Sequence, residues 1–231
     1  MKYKLPRQLT TPQLNNLIST QLKKQNITLP TASKKTLQTL ADILPRILQN
    51  GLPHSLILRK LPHSLGHGIF LHPQAKPIPR GTLIAPYAGT LSLEAQNDPE
   101  DSDYAFAPLA DIRLAHPDHT LFDPKRRFHP RRLYILNLDA QHNGNFTRFI
   151  NHSDTPNVTI RYERIPQNPY GLAPAPLEVL YFAKKTIHPG HQLLVSYEDP
   201  EDQTYWGVMG IKPYPLKPTT FKLSPSLRIV S

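Results

Sequence analysis

The chain has 231 residues, 27 Lys and Arg against 17 Asp and Glu for a formal charge of +10, and no cysteine. Absence of cysteine excludes a disulfide framework, a thiolate zinc cluster, an iron–sulfur centre and a cysteine nucleophile. The 39% apolar and 19% charged residues suit a folded, soluble protein with one substantial core, and the 26 prolines, about 11% and roughly twice average usage, argue against long helices beyond the first sixty residues.

The basicity is local. Residues 1–60 hold ten Lys and Arg and one acid, Asp42, for a charge of +9, whereas residues 61–231 hold 17 against 16. The amino-terminal segment, 1–52, is expected to be a helical extension. Leu14, Leu17, Ile18 and Leu22 share a face in TPQLNNLISTQLKK, and Leu37, Leu40, Ile43, Leu44 and Leu48 share one in SKKTLQTLADILPRIL. Thr11 and Pro12 supply one helix start, and Thr31 or Ser33 another. Its charge suggests a polyanionic partner, such as nucleic acid (DNA for this segment) or an anionic membrane surface, or solubility alone. No run reaches the ~20 apolar residues of a membrane span, and no conventional secretory signal opens the chain. A soluble protein without a membrane partner is expected.

After Gly51 the pattern becomes short runs rich in Val, Ile, Leu, Tyr and Phe, broken by Pro, Gly and Asp: SLILRKL, GTLIAPYAG, RLYILNLDA, NVTIRYERI, LEVLYFAKK and QLLVSYE. A mainly β domain with some α structure is expected over 53–206, with a variable insert at about 94–137, followed by a proline-rich arm at 207–231.

Four stretches carry candidate chemistry: Leu65-Gly66-His67-Gly68, Tyr87-Ala88-Gly89, Arg148-Phe149-Ile150-Asn151-His152-Ser153-Asp154-Thr155-Pro156-Asn157, and Pro189-Gly190-His191-Gln192-Leu193-Leu194-Val195-Ser196-Tyr197. Singly, each has a plain structural reading: a tight turn, a core tyrosine, an Asx-rich turn, a turn feeding a strand. Their order and spacing together resemble the SET domain of protein lysine methyltransferases. The third stretch is similar to the RFINHSxxPN signature at every fixed position. The fourth resembles the GEELxxxY element, with His191-Gln192 in place of two glutamates.

The resemblance covers roughly residues 53–206. It implies small β-sheets around a knot-like crossing, with the Asn151 segment threaded under a loop closed by the segment running into Tyr197. It implies S-adenosylmethionine as methyl donor, held by Leu65, Gly66, His67 and Gly68 and by Asn151 and His152, with Arg148 bracing that segment. Tyr87, Tyr104 and Tyr197 map onto the tyrosines of the lysine channel, Tyr104 also lying toward the cofactor. Tyr205 and Trp206 could replace a zinc-bearing flank by covering the adenine, although a core role for Trp206 also fits. Val195 stands where the family often carries an aromatic that affects methyl count.

In size and domain flanks the chain resembles those SET proteins without zinc-cluster cysteines that come from bacteria living inside eukaryotic cells, which implies host histones or the bacterium's own histone-like DNA-compacting proteins as targets. Bacterial cytoplasm and export to a host nucleus both remain open. Nine of the 17 acids fall in two runs without Lys or Arg, Glu94 to Asp103 and Glu198 to Asp202, which abut Tyr104 and Tyr197. Asp101, Asp103, Glu198 and Asp199 are therefore candidates for holding a basic substrate, or members of two solvated loops. His63, His67 and His72 sit among Pro62, Gly66, Gly68 and Pro73, so a helical metal face is not expected and no metal is assigned. Two other readings stay open: a non-catalytic SET-like binding module and a basic nucleic-acid-binding protein.

Overall fold

A computed structural model describes residues 11–24, 26–62, 66–95, 105–106, 114–115 and 133–197. Helix α1 spans Thr11–Lys24 and α2 spans Lys34–Asn50. Leu17, Ile18 and Leu22 of α1 are buried, as the helical spacing requires. The helix stops where Asn26 adopts a left-handed φ of 55° and the Ile27 amide donates to the Leu22 carbonyl at 2.9 Å. Ser33 caps α2, its Oγ accepting from the Thr36 amide at 3.1 Å.

In α2 the expected apolar face is only partly covered. Leu37, Leu40 and Ile47 are buried, whereas Leu48 is 85% exposed. Leu48 lies about 80–100° round the helix from Leu40 and Ile47, so it sits at the edge of the buried stripe rather than within it.

Eleven strands follow among the described residues: β1 Leu56–Lys60, β2 His67–Leu71, β3 Leu83–Pro86, β4 Thr90–Ala95, β5 Ala105–Phe106, β6 Leu114–Ala115, β7 Leu133–Asp139, β8 Asn151–His152, β9 Val158–Ile165, β10 Ala175–Ala183 and β11 Leu194–Val195. They form small sheets, ordered β1-β2, β3-β10-β9, β11-β8 and β4-β7-β5, with β6 also on β7. Five of the six runs read as strands hold strands of four to nine residues; QLLVSYE holds only the two-residue β11. The glycine-flanked His67 is not part of a turn but opens β2, in register with Lys60 of β1. No helix among the described residues is long and apolar enough to cross a membrane.

The chain divides into two compact units, one of residues 1–41, 87–145 and 162–179, the other of 42–86, 146–161 and 180–231. In the first, Leu17, Leu22, Leu37, Leu40, Leu138, Leu177 and Val179 are buried, and β7 is the centre of its sheet, pairing with β4, β5 and β6. In the second, Ile69, Leu71, Ile150, Leu180, Ile187, Leu193 and Leu194 are all under 2% exposed. Each such side chain contributes about 1.5–3 kcal/mol relative to leaving it in water. That core is the floor on which three of the four sequence stretches meet.

Candidate active site

The final stretch joins the other two within the second unit. Gly190, with φ of 80°, makes the turn that an L side chain would strain, and its amide donates to the Leu71 carbonyl at 2.8 Å. The Leu71 amide donates to His191 O at 2.9 Å and the Leu193 amide to Ile69 O at 2.8 Å, so residues 190–193 run antiparallel along β2. One residue later the same chain becomes β11 and pairs in parallel with β8, Leu194 opposite Asn151 and Val195 opposite His152. The Ser153 amide donates to Val195 O at 2.9 Å and the Asn157 amide to Leu194 O at 3.0 Å. Residues 66–71, 148–157 and 190–197, far apart in sequence, are thereby brought side by side.

Two side-chain amides approach Gly68 closely. A Cβ there would lie 2.6 Å from Gln192 Nε2 and 3.3 Å from Asn151 Nδ2. Asn151 Nδ2 donates to His67 O at 2.9 Å, fixing the carboxamide against the start of β2. The His67 ring meets Phe149 edge-on at 5.9 Å, and the Arg148 guanidinium stacks over Phe149 at 4.7 Å. Gly66 and His67 are exposed and Asn151 is half-buried, so this edge is accessible to a ligand, with the Gly66 carbonyl accepting from the Leu61 amide at 2.8 Å and the His67 carbonyl from Asn151.

Tyr197 is held at three points. Its amide donates to His152 Nδ1 at 3.0 Å, its hydroxyl donates to Ile150 O at 3.1 Å, and its ring tilts against the His152 ring at 5.5 Å. The residue is 37% exposed while His152 is 7% exposed, which leaves the phenol at the surface of a buried support. Because an amide can only donate, His152 Nδ1 is the acceptor, and Nε2 faces Asp154 Oδ1 at 3.1 Å.

Gly66, His67, Gly68, Arg148, Asn151, His152, Val195 and Tyr197 thus share one unit, with Val195 fully buried. Tyr87 belongs to the other, where it is buried and donates its amide to Val179 O at 2.8 Å. Leu65, Asp101, Asp103, Tyr104, Glu198, Asp199, Tyr205 and Trp206 lie outside the described residues. Sequence reading missed two participants, the Ile150 carbonyl and Asp154. A backbone carbonyl has no signature in residue type, and Asp154 fell at a variable place in its motif. Among the described residues no group of three or more His, Asp or Glu could hold a metal ion.

"Histone-lysine N-methyltransferase met-2" of Caenorhabditis elegans is 32% identical over 87 residues, 38% of this chain and 6% of that protein. Two crystal structures of KRYPTONITE, one with mCHH DNA, the H3(1-15) peptide and SAH and one with mCHG DNA and SAH, match with TM-scores of 0.42. Their identities are 23% and 22% over 67% and 65% of this chain, in each case 25% of the other. The chain therefore spans only a small part of these relatives. The family model for the SET domain matches residues 68–198, more than half of the sequence, and the chain belongs to the SET domain family.

Proposed function

We propose that the protein transfers a methyl group from S-adenosylmethionine to the side-chain amine of lysine in a basic protein, a histone or a bacterial histone-like protein. The observation that carries this reading is the pairing of the Tyr197 hydroxyl with the Ile150 carbonyl beside the exposed Gly66–His67 backbone and the Asn151 amide. Membership of the SET family and the likeness to a histone-lysine methyltransferase support it.

The residues present fit the donor. Its methionine and ribose portions are polar, and the exposed residues Gly66 and His67 form an accessible edge where Gly68 carries no side chain to bar approach. Asn151 and His152 would hold the adenine and amino groups. When bound, the donor supplies an electrophilic methyl on a positively charged sulfur.

The chain's own residues then have three tasks. They must hold the amine in line with the methyl, keep water out and favour a neutral amine. A lysine of pKa ~10.4 is about three units from neutrality at physiological pH, a cost of ~4 kcal/mol that desolvation and a neighbouring positive charge reduce. Tyr197 suits the first two tasks. With its proton donated to Ile150 O, its oxygen presents lone pairs as acceptors for weak C–H and amine N–H contacts, and its ring is an apolar wall. The family resemblance assigns Tyr87 and Tyr104 the same kind of role.

Substrate choice follows from charge. The acids at 94–103 and 198–202 flank Tyr104 and Tyr197 in sequence and suit a lysine within a basic tail. The lysines of the amino-terminal helices suit the DNA that such substrates carry. With a histone as target the protein would act on chromatin, as a bacterial effector does in a host nucleus. With a bacterial histone-like protein it would act in the bacterial cytoplasm.

The test is transfer of labelled methyl to purified histones and to a bacterial histone-like protein, with Tyr197→Phe alongside. Methylation that the substitution lowers by about a hundredfold is expected. No transfer, with no binding of S-adenosylhomocysteine, would overturn the reading.

A further inference from the structure

We propose that Asp154 is a positioning residue for Tyr197, acting through His152. The link is a one-way series of hydrogen bonds: the Tyr197 amide donates to His152 Nδ1 at 3.0 Å, and His152 Nε2 lies 3.1 Å from Asp154 Oδ1.

Donor and acceptor chemistry favours one arrangement, from both ends of the ring. A backbone amide has a proton and no acceptor, so the Tyr197 bond persists only while Nδ1 presents its lone pair. A neutral imidazole carries one proton, which then resides on Nε2. The Asp154 carboxylate is an acceptor only, and it receives that proton. The other tautomer would set the Nδ1 proton against the Tyr197 amide proton and turn a bare Nε2 lone pair toward a carboxylate. Both ends of the ring would then repel, and the Tyr197 backbone would lose its anchor.

Asp154 is itself held in place. Ser153 Oγ accepts from the Thr155 amide at 3.1 Å, closing a tight turn about Asp154, and the Ser153 amide is tied to Val195 O at 2.9 Å. The carboxylate therefore approaches Nε2 from a fixed backbone rather than from a free loop. His152 is buried beneath Tyr197 while the Asp154 side chain is 60% exposed. At that exposure solvent screens the charge strongly, so Asp154 acts mainly through the position of one acceptor oxygen. This separates it from a surface ion pair, for which the charge would be the active property.

The consequence for Tyr197 is geometric. The His152 bond fixes its backbone and the Ile150 bond fixes its hydroxyl. With the His152 bond lost, the phenol is held less firmly, and the in-line alignment it supports degrades without loss of the fold.

The inference rests on the proposed methyl transfer for its kinetic part and is independent of it for its structural part. In the full-length protein, Asp154→Ala is expected to lower kcat about tenfold, with KM for a histone peptide and affinity for S-adenosylhomocysteine each within about twofold of wild type. Asp154→Asn, which keeps an acceptor oxygen and removes the charge, is expected to recover most of the loss. Nitrogen NMR of labelled histidine is expected to show His152 as the Nε2–H tautomer in wild type and a mixture in Asp154→Ala. A wild-type tautomer in the alanine variant would overturn the proposal whatever the activity. So would an alanine variant with unchanged kcat, or one in which kcat and S-adenosylhomocysteine affinity fall together. If the wild type methylates nothing, the tautomer measurement still decides whether Asp154 sets the state of His152.

Discussion

The carboxamide of Asn157 clasps the backbone of the segment that leads to Tyr197: Nδ2 donates to Gln192 O at 2.8 Å and Oδ1 accepts from the Leu194 amide at 2.8 Å. With its own amide bonded to Leu194 O, and its carbonyl accepting from Lys184 N at 2.8 Å, Asn157 ties three chain segments through one residue. Only a carboxamide offers donor and acceptor at this reach. Asn157→Ala should cost about 3 kcal/mol in a denaturant titration, the sum expected for two half-buried backbone groups left without their partners. Asn157→Asp should be nearly as damaging, because it replaces the donor facing Gln192 O with a negatively charged oxygen. A loss below about 1 kcal/mol for both variants would show that water satisfies these groups and that the clasp is unimportant.

Gly68 and Gln192 should behave as a coupled pair. Gln192 is 2% exposed, so a methyl placed 2.6 Å from its Nε2 cannot be accommodated by swinging the amide into solvent. Gly68→Ala is expected to weaken S-adenosylhomocysteine binding, measured by calorimetry, about tenfold or more. Adding Gln192→Ala should recover part of that affinity, since it vacates the space the methyl needs. Additive losses in the double variant would contradict this packing.

Glu178 on β10 introduces a pH dependence. Desolvation pushes its carboxyl up from 4.5 to about 7. The folded protein therefore holds a proton that the unfolded chain has released between those values, so stability is full below about 4.5 and declines as pH rises through about 7. The decline should be about 2 kcal/mol, below the full linkage value because the residue is only partly buried. Stability curves at pH 5 and pH 8 should show it, and Glu178→Gln should flatten it. Equal dependence in the variant would place the titrating group elsewhere.

How much was legible in the sequence depended on which atoms do the work. Helix α1 was readable from Leu17, Ile18 and Leu22 at helical spacing behind Thr11 and Pro12, and β7, β9 and β10 from runs of β-formers. Strand β2 was hidden because Gly66 and Gly68 look like turn residues, whereas Gly68 is there to admit Gln192 and Asn151. β8 is two residues long, and pairing with β11 is its defining property, a long-range relation that no local pattern encodes. Asn151, His152 and Tyr197 were singled out by side-chain motifs, and the structure brings them together. The Ile150 carbonyl and the His152–Asp154 bond were not, because one is backbone and the other depends on a tautomer.

Substrate charge should appear in KM. Asp101, Asp103, Glu198 and Asp199 adjoin the tyrosines assigned to the lysine channel. Replacing all four by the amides should raise KM for a basic peptide several-fold at low salt and leave kcat nearly unchanged, because the attraction acts on encounter rather than on the reacting atoms. The difference should shrink in about 0.5 M salt. An unchanged KM at low salt would reduce these runs to solvated loops.

DNA affinity, finally, should trace to the connection between the two helices. Exposed Lys23 and Lys24 end α1, and exposed Lys34 and Lys35 begin α2. The connector between them is pinned to β9: Arg164 N donates to Pro30 O at 2.8 Å, the Ala32 amide donates to Arg164 O at 3.0 Å, and Arg164 Nη2 donates to Thr31 Oγ1 at 2.9 Å. Four cations flank an anchored loop, with Arg164 beside them, and residues 1–41 contain no acid. If each of the four lysines neutralises one phosphate, changing all four to Gln should reduce the slope of log affinity against log salt for duplex DNA by about 3.6. Methyl transfer to a free peptide should stay as in wild type, because these residues lie outside the assigned site. An unchanged slope would place the DNA contact elsewhere, and equal binding of anionic vesicles would make the charge a general polyanion attraction rather than a DNA contact.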